Sequence, residues 1–292
     1  MTAHLLDFPQ LPRDRTVAYS GLLAFPRIEP LSPLAVRSRA VELQLARAQP
    51  SSAESLDRLA SALVASAPDS DLEADSHPGL RDELEPYVQA PIPRPGPCEA
   101  AKVRAEFAVY ARLAGRHEPF AAMDEKAFVD FLVEVHRRLG AGLNALRDGA
   151  VGLRPDSGGN RVLFPHHRLC PALLSSLHGF LRGHLADHPG LGAAVAFAAI
   201  VHAHPFNDGN GRTARTIYNL ILADGTGTRH FVPIHAIAGR FPGFAIKLKR
   251  ALHGGDWLSL QSYFADAIRL SRSLQGESRE DSESKTPRER RG

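Results

Sequence analysis

Residues 204–215 read His204-Pro205-Phe206-Asn207-Asp208-Gly209-Asn210-Gly211-Arg212-Thr213-Ala214-Arg215. This stretch combines a base, a carboxylate, a Gly-Asn-Gly turn and two guanidiniums. Gly209 and Gly211 permit positive φ and a close approach of backbone to ligand. A helix is expected to begin near Arg212 or Thr213, and its first N–H groups, lacking intrahelical partners, form an anion seat with the helix dipole. Asn210 suits a turn residue that also donates to a phosphate oxygen. Arg212 and Arg215 share a helical face, and two forked cations match adjacent phosphates. Asp208, one carboxylate beside substrate phosphates, is a common arrangement for Mg²⁺. His204 ends the preceding apolar run, and an imidazole of ordinary pKa about 6.5 can take a proton from a hydroxyl. Phe206 is expected to pack inward. Each residue alone has an ordinary explanation: a helix cap, a turn or a solvated cation. No cap or turn requires all of them in this order.

The stretch resembles the signature of the Fic family, His-x-Phe-x-Asp/Glu-Gly-Asn-Gly-Arg-x-x-Arg, at every fixed position. The resemblance implies a mainly α fold: a Fic-type helical bundle with a short β-hairpin flap, here preceded by an N-terminal helical extension. It also implies Mg²⁺-dependent transfer of AMP from ATP to a Ser, Thr or Tyr hydroxyl of a protein, with release of pyrophosphate. His204 would be the base and Asp208 the metal ligand. Asn207, Gly209, Asn210, Gly211 and Arg212 would hold phosphates, and Arg215 would reach the distal one. Relatives with nearly the same motif transfer UMP or phosphocholine, and one carrying Lys in the Gly-Asn-Gly-Arg segment acts as a kinase. Gly211 here favours nucleotidyl transfer. A nucleotide-binding regulator without catalysis is the remaining alternative, and the presence of His204 argues against it.

The resemblance extends over roughly residues 100–272. Phe128, Phe131, Leu132, Val135 and Leu139 have helical spacing and resemble the helix before the flap, with His136 at a frequent His position. Gly152 and Arg154 look like the Gly-x-Arg that opens the flap. Turn residues follow, and Arg161, Val162 and Leu163 read as a returning strand, so a hairpin is expected at 152–165. In the family such a flap binds an extended target segment by strand addition. Phe241 to Trp257 resembles the closing helix.

Many relatives are restrained by a helix carrying Ser/Thr-x-x-x-Glu-Gly/Asn, whose Glu pairs with the second motif arginine. The N-terminal region has no such match. Ser273 to Ser278 fits only in part, and Gly276 weakens a helix there by about 1 kcal/mol relative to Ala. A separate antitoxin-like partner supplying the Glu, in a toxin-like protein, and an unrestrained enzyme are the two readings.

With 292 residues, 43% hydrophobic, the chain can bury a sizeable core. A net charge of +3 is too mild to signal nucleic-acid binding. Cys98 and Cys170 give no disulfide framework and no metal spacing, so a reducing compartment is the default. No apolar run approaches membrane-spanning length, and Met1 to Arg15 lack a secretory pattern. A cytoplasmic protein follows, with export as an effector compatible. His202 and His204 do not share a helical face and make a poor metal pair.

Three regions are expected. Residues 1–95 form the extension: a Pro-rich arm to about 35, a helix from Leu34 to Ala48, and another capped by Ser51 or Ser52 and running to Ala65. Four prolines between Ala90 and Pro97 mark the boundary. Residues 96–275 form the core, with helices at 99–115, 170–186, 192–203 and 258–274. Residues 276–292 read as a disordered charged tail.

Overall fold

The computed structural model describes residues 16–18, 23–65, 97–140, 145–153, 161–238 and 243–283. Arg154, the proposed boundary prolines before Pro97 and the last residues of the tail lie outside the described residues.

One helix organises the rest. α6 (Pro189–Ala203) is Ala-rich and buried on almost every side, as an all-round apolar helix must be. Gly192 lets α5 (Cys170–His184) and the turn after it come close: a Cβ there would stand 2.7 Å from Leu185 Cδ1. α6 packs most extensively on α7 (Asn210–Thr226), its antiparallel neighbour across the 204–209 loop. That hairpin of helices carries the motif.

The extension packs on this core. In α1 (Pro33–Ala46), Ser32 caps the N-terminus by accepting from the Ala35 N–H, and Pro33 opens the helix. Ser38 receives the Leu191 N–H at 3.2 Å, tying α1 to the start of α6. Ser52 accepts from the Ser55 N–H at 3.0 Å and so caps α2 (Ala53–Ala65). The Ser51 N–H donates to the Arg229 carbonyl at 3.0 Å, and the Ser51 hydroxyl accepts from the Phe231 N–H at 2.9 Å. Upstream, the arm is anchored where Trp257 donates to the Ala24 carbonyl and Phe25 stacks on Phe180.

α3 (Pro97–Leu113) lies against α2 and α7. Asp124 caps α4 (Glu125–Arg138), which buries Phe128, Leu132 and Val135 of the expected stripe, with Leu139 just past its end, while Phe131 is partly buried and His136 joins the buried face. α8 (Ile234–Ala238) and α9 (Phe244–Gly254) lead to α10 (Trp257–Glu283). α10 passes Gly276 and continues to Glu283, into the stretch that the sequence reads as a tail. A single glycine costs a helix about 1 kcal/mol, too little to stop one already propagating.

In the flap region, Gly152 bridges Leu163 in antiparallel fashion, and the Phe164 N–H donates to the Val151 carbonyl at 3.0 Å. The hairpin's connecting residues fall outside the described ones. The strand β2 (Arg161–Leu163) has a second neighbour that the sequence did not suggest. β1 (Thr16–Ala18), from the N-terminal arm, pairs with it in parallel, Ala18 opposite Leu163. Periodicity cannot reveal a pairing across so much intervening sequence.

Candidate active site

The loop between α6 and α7 is held in shape by its own side chains. α6 ends at His204, which adopts the left-handed conformation at φ 47° and ψ 55°. The Asn210 amide spans the loop, accepting from the Phe206 N–H at 2.9 Å and donating to the Phe206 carbonyl at 2.8 Å. Phe206 is fully buried and stacks on His136 at 3.9 Å. The His136 Nε2 lies 2.9 Å from the Asp208 carbonyl. α4 thus pins the middle of the loop, and Phe206 packs inward as expected.

α7 begins at Asn210, earlier than the Arg212 or Thr213 start that the turn chemistry suggested. Gly209 supplies the left-handed residue before it at φ 78°, and no side chain caps the helix. The first N–H groups therefore point out of the helix end without a protein cap, as an anion seat requires. Asn210 is buried and spends its amide on the loop. A phosphate role expected of its side chain therefore meets an amide already bound to Phe206. At Gly211 a Cβ would stand 3.2 Å from Arg215 Nη1, so that position keeps room for the guanidinium.

His204 stands at the other end of the same loop, close enough to Asp208 to feel its charge. Its ring stacks on Phe164, just after β2, with centroids 3.6 Å apart and planes 10° from parallel. Nδ1 sits 3.2 Å from the Val201 carbonyl. A carbonyl can only accept, so Nδ1 carries the proton and Nε2 presents the lone pair. Burial pushes the imidazole pKa down to about 4, with the Arg147 charge helping and the Val201 bond and Asp208 opposing. The ring is therefore neutral, the form that can accept a proton.

Asp208 is the exposed member of the site. Its side chain is 85% accessible, and its carboxylate reaches Arg212 only at 3.5 Å. Arg212 also points toward the Leu139 carbonyl at 3.4 Å. Both contacts are long and readily exchanged for phosphate oxygens. Among the described residues no group of three or more His, Cys, Asp or Glu side chains could hold a metal. Mg²⁺ fits here as an ion shared between Asp208 and substrate phosphates, the usual mode for that ion.

Arg215 is placed differently. Its Nε lies 3.1 and 3.0 Å from the two carboxylate oxygens of Glu106, and Nη2 lies 2.5 Å from Oε1. Glu106, on α3, is 1% exposed, and Arg215 is 13% exposed. The motif's second arginine is thus already engaged by a buried carboxylate from the same chain. The Ser/Thr-x-x-x-Glu-Gly/Asn pattern misses Glu106, because Lys102 precedes it by four and Phe107 follows. A different signal was present. Val103, Glu106, Val109, Tyr110 and Leu113 form the buried stripe of α3, and a carboxylate on such a stripe needs a cation.

The predicted residues therefore separate into two groups. His204, Asp208, Gly209, Asn210, Gly211, Arg212 and Arg215 converge on the α6–α7 turn. Asn207 lies on the exposed side of that loop. Gly152 and Leu163 meet in the flap bridge and, through Phe164, border His204; Arg161 and Val162 lie on β2.

Two depressed histidines make acid stability testable. Burial also lowers the His230 pKa to about 4, and its ring lies between the Gln49 carbonyl and the Ser271 hydroxyl. As pH falls from about 6.5 toward 4, unfolded imidazoles take up protons that the folded ones refuse. The folded state loses stability across that window, on the order of a few kcal/mol for a fully shifted group. Thermal melts from pH 7.5 to 4.5 should fall, and His230→Gln should fall less steeply. A parallel decline in wild type and variant would reject this role for His230.

Comparison with known proteins agrees with this geometry. Residues 128–222 match the Fic/DOC family model. A protein named protein adenylyltransferase Fic from Aedes aegypti is 34% identical over 100 residues, covering 31% of this chain and 18% of that protein. One of the same name from Nematostella vectensis is 31% identical over 106 residues, 34% of this chain and 23% of that protein. The chain thus matches about a fifth of the length of these relatives. In three dimensions it resembles a Fic family protein from Desulfovibrio desulfuricans G20, with a TM-score of 0.54, 18% identity, and coverage of 89% of this chain and 78% of that one. A mainly helical Fic fold thus extends over most of the chain, and residues 128–222, from α4 through the His204 loop into α7, are its Fic/DOC family domain.

Proposed function

We propose that the protein transfers AMP from ATP to a hydroxyl side chain of a protein. The observation that carries this reading is a His204 whose Nδ1 is engaged by the Val201 carbonyl, leaving Nε2 as the proton acceptor, one short loop before the uncapped N-terminus of α7. The expected phosphate ligands Arg212 and Arg215 stand on that helix. The target hydroxyl oxygen attacks the α-phosphorus and forms the new O–P bond. The bond from the α-phosphorus to the bridging oxygen breaks, and pyrophosphate leaves. The hydroxyl proton passes to His204 Nε2. The α7 N–H groups and Arg212 would hold the phosphates, and Asp208 would supply the carboxylate for Mg²⁺. When bound, Mg²⁺ neutralises charge on the phosphate oxygens. Names of relatives that match a fifth of their own length support this reaction at family level.

Regulation in cis is part of the proposal. Glu106 holds Arg215, so the distal phosphate must compete with a buried carboxylate, and a separate antitoxin would meet an arginine already engaged. β1 lies on β2, so a target segment adding to that strand would have to displace the chain's own arm. Among the described residues no helix is long and apolar enough to cross a membrane. Free, buried Cys170 accords with a reducing, cytoplasmic setting.

The test is label transfer into protein from ATP labelled at the α or the γ phosphate. Wild type should transfer only the α label. Label from γ would mean a kinase, and no label from either would turn the search to UMP or phosphocholine donors. Asp208→Ala should weaken binding of Mg²⁺-ATP by calorimetry and leave metal-free ATP binding nearly unchanged. Equal Mg²⁺-ATP affinity would remove Asp208 from the metal role.

A further inference from the structure

Arg147 lies between α4 and the flap, outside the motif. Its residue is 4% exposed. The guanidinium makes no carboxylate pair among the described residues; its partners are backbone carbonyls. Nε donates to His204 O at 2.6 Å, Nη1 to Gly149 O at 2.7 Å, and Nη2 to Pro165 O and, at 3.3 Å, to Ala203 O. The Arg147 backbone N–H donates to Pro205 O at 2.8 Å. Cys170, at the start of α5, lies against the same group and directs its thiol to Ala203 O at 3.5 Å.

These contacts join three parts of the site. Ala203 is the last residue of α6 and His204 its C-terminal cap, where carbonyls lack intrahelical partners and the dipole is negative. Gly149 precedes the flap and Pro165 follows it. A planar fork with five donors can bond all of them at once, and a lysine ammonium cannot. Burying a cation is costly unless its donors are satisfied, so four carbonyls around one guanidinium imply a definite task. His204 also holds a left-handed conformation that costs a non-glycine residue about 1–2 kcal/mol. Its carbonyl and the next one, Pro205, both end on Arg147.

We propose that Arg147 is a positioning residue for His204: it clasps both roots of the flap to the end of α6, so that Phe164 stacks on the imidazole and Nε2 is aimed at the phosphate seat. The inference rests on His204 being the base of the proposed transfer. Arg147 touches neither nucleotide nor target. It acts by fixing where the base sits, and a displacement of about 1 Å at such a group lowers turnover by about 10²-fold.

The experiment compares Arg147→Lys and Arg147→Gln with wild type in the full chain, each first shown to melt cooperatively. The first readout does not depend on activity. An imidazole stacked 3.6 Å from a phenyl ring has its ring-proton resonance shifted upfield, and His204→Ala identifies that resonance by its loss. Arg147→Gln should move it back toward the position of an unstacked histidine, and Arg147→Lys should move it part of the way. The second readout is steady-state AMP transfer. Here kcat should fall by at least about tenfold while the KM for ATP stays within about twofold. An unmoved His204 resonance with unchanged kcat in either folded variant would overturn the proposal, as would a raised KM for ATP with kcat retained. If wild type transfers nothing, the resonance alone decides whether Arg147 positions His204, and the failure belongs to the proposed reaction.

Discussion

Glu106→Gln should raise affinity for Mg²⁺-ATP by about tenfold or more and raise AMP transfer with it. The reason is competition for one guanidinium. Arg215 makes a forked, charge-assisted contact with Glu106 inside the protein, where screening by solvent is weak. A distal phosphate can recruit Arg215 only by displacing that carboxylate. Glutamine keeps the shape and one acceptor oxygen but removes the charge, so the phosphate becomes the stronger partner. Stability should move the other way, because removing one member of a buried pair leaves the other charge poorly compensated. The variant should therefore melt lower without nucleotide and gain more from added Mg²⁺-ATP than wild type does. Calorimetry and melts with and without nucleotide measure both effects. Equal or weaker ATP binding by Glu106→Gln would mean that the pair is structural and restrains nothing. Arg215→Ala separates the cases further: it should lower ATP affinity even though it also breaks the pair.

His204→Ala should abolish transfer while leaving nucleotide binding close to wild type. The expected loss in kcat is about 10²–10⁴-fold, the range for a positioned general base. Binding should survive because the proposed phosphate seat consists of the N-terminus of α7, Arg212 and Arg215. None of these depends on the imidazole, and the loop shape is held by Asn210 and by Phe206 on His136. Acid should mimic the mutation. Wild-type transfer should persist down to about pH 5 and fail as His204 charges near pH 4. Transfer by the variant at the wild-type rate would sink the assignment of the base. A kcat that already falls between pH 7 and 6 would show that the imidazole is less desolvated in the working enzyme than its burial implies.

Local chemistry made much of the site readable in advance. A left-handed turn before a helix demands glycine, and an anion seat needs an uncapped helix start. Two arginines one turn apart share a face. These constraints act within twelve residues of chain, so the order of residue types from His204 to Arg215 carries them. The buried helices were readable for the same reason, since the stripe on α4 is periodic and the apolar run of α6 is continuous along the chain. The helix over 33–46 and the Ser52 cap of the next one likewise follow from neighbours in sequence.

Three features needed the tertiary structure. Glu106 meets Arg215 across 109 positions of sequence, and only the packing of α3 on α7 brings a buried carboxylate to that guanidinium. Arg147 reads as one more arginine until the fold gathers four carbonyls around it. β1 reaches β2 from the far end of the chain, and strand pairing of that kind leaves no periodic trace in either partner. By itself the sequence determined the local geometry of the 204–215 loop, because that geometry depends on dihedral freedom and spacing along the backbone. Which cations are held in reserve, and by what, was decided by tertiary structure, because pairing a buried charge depends on which elements meet in space.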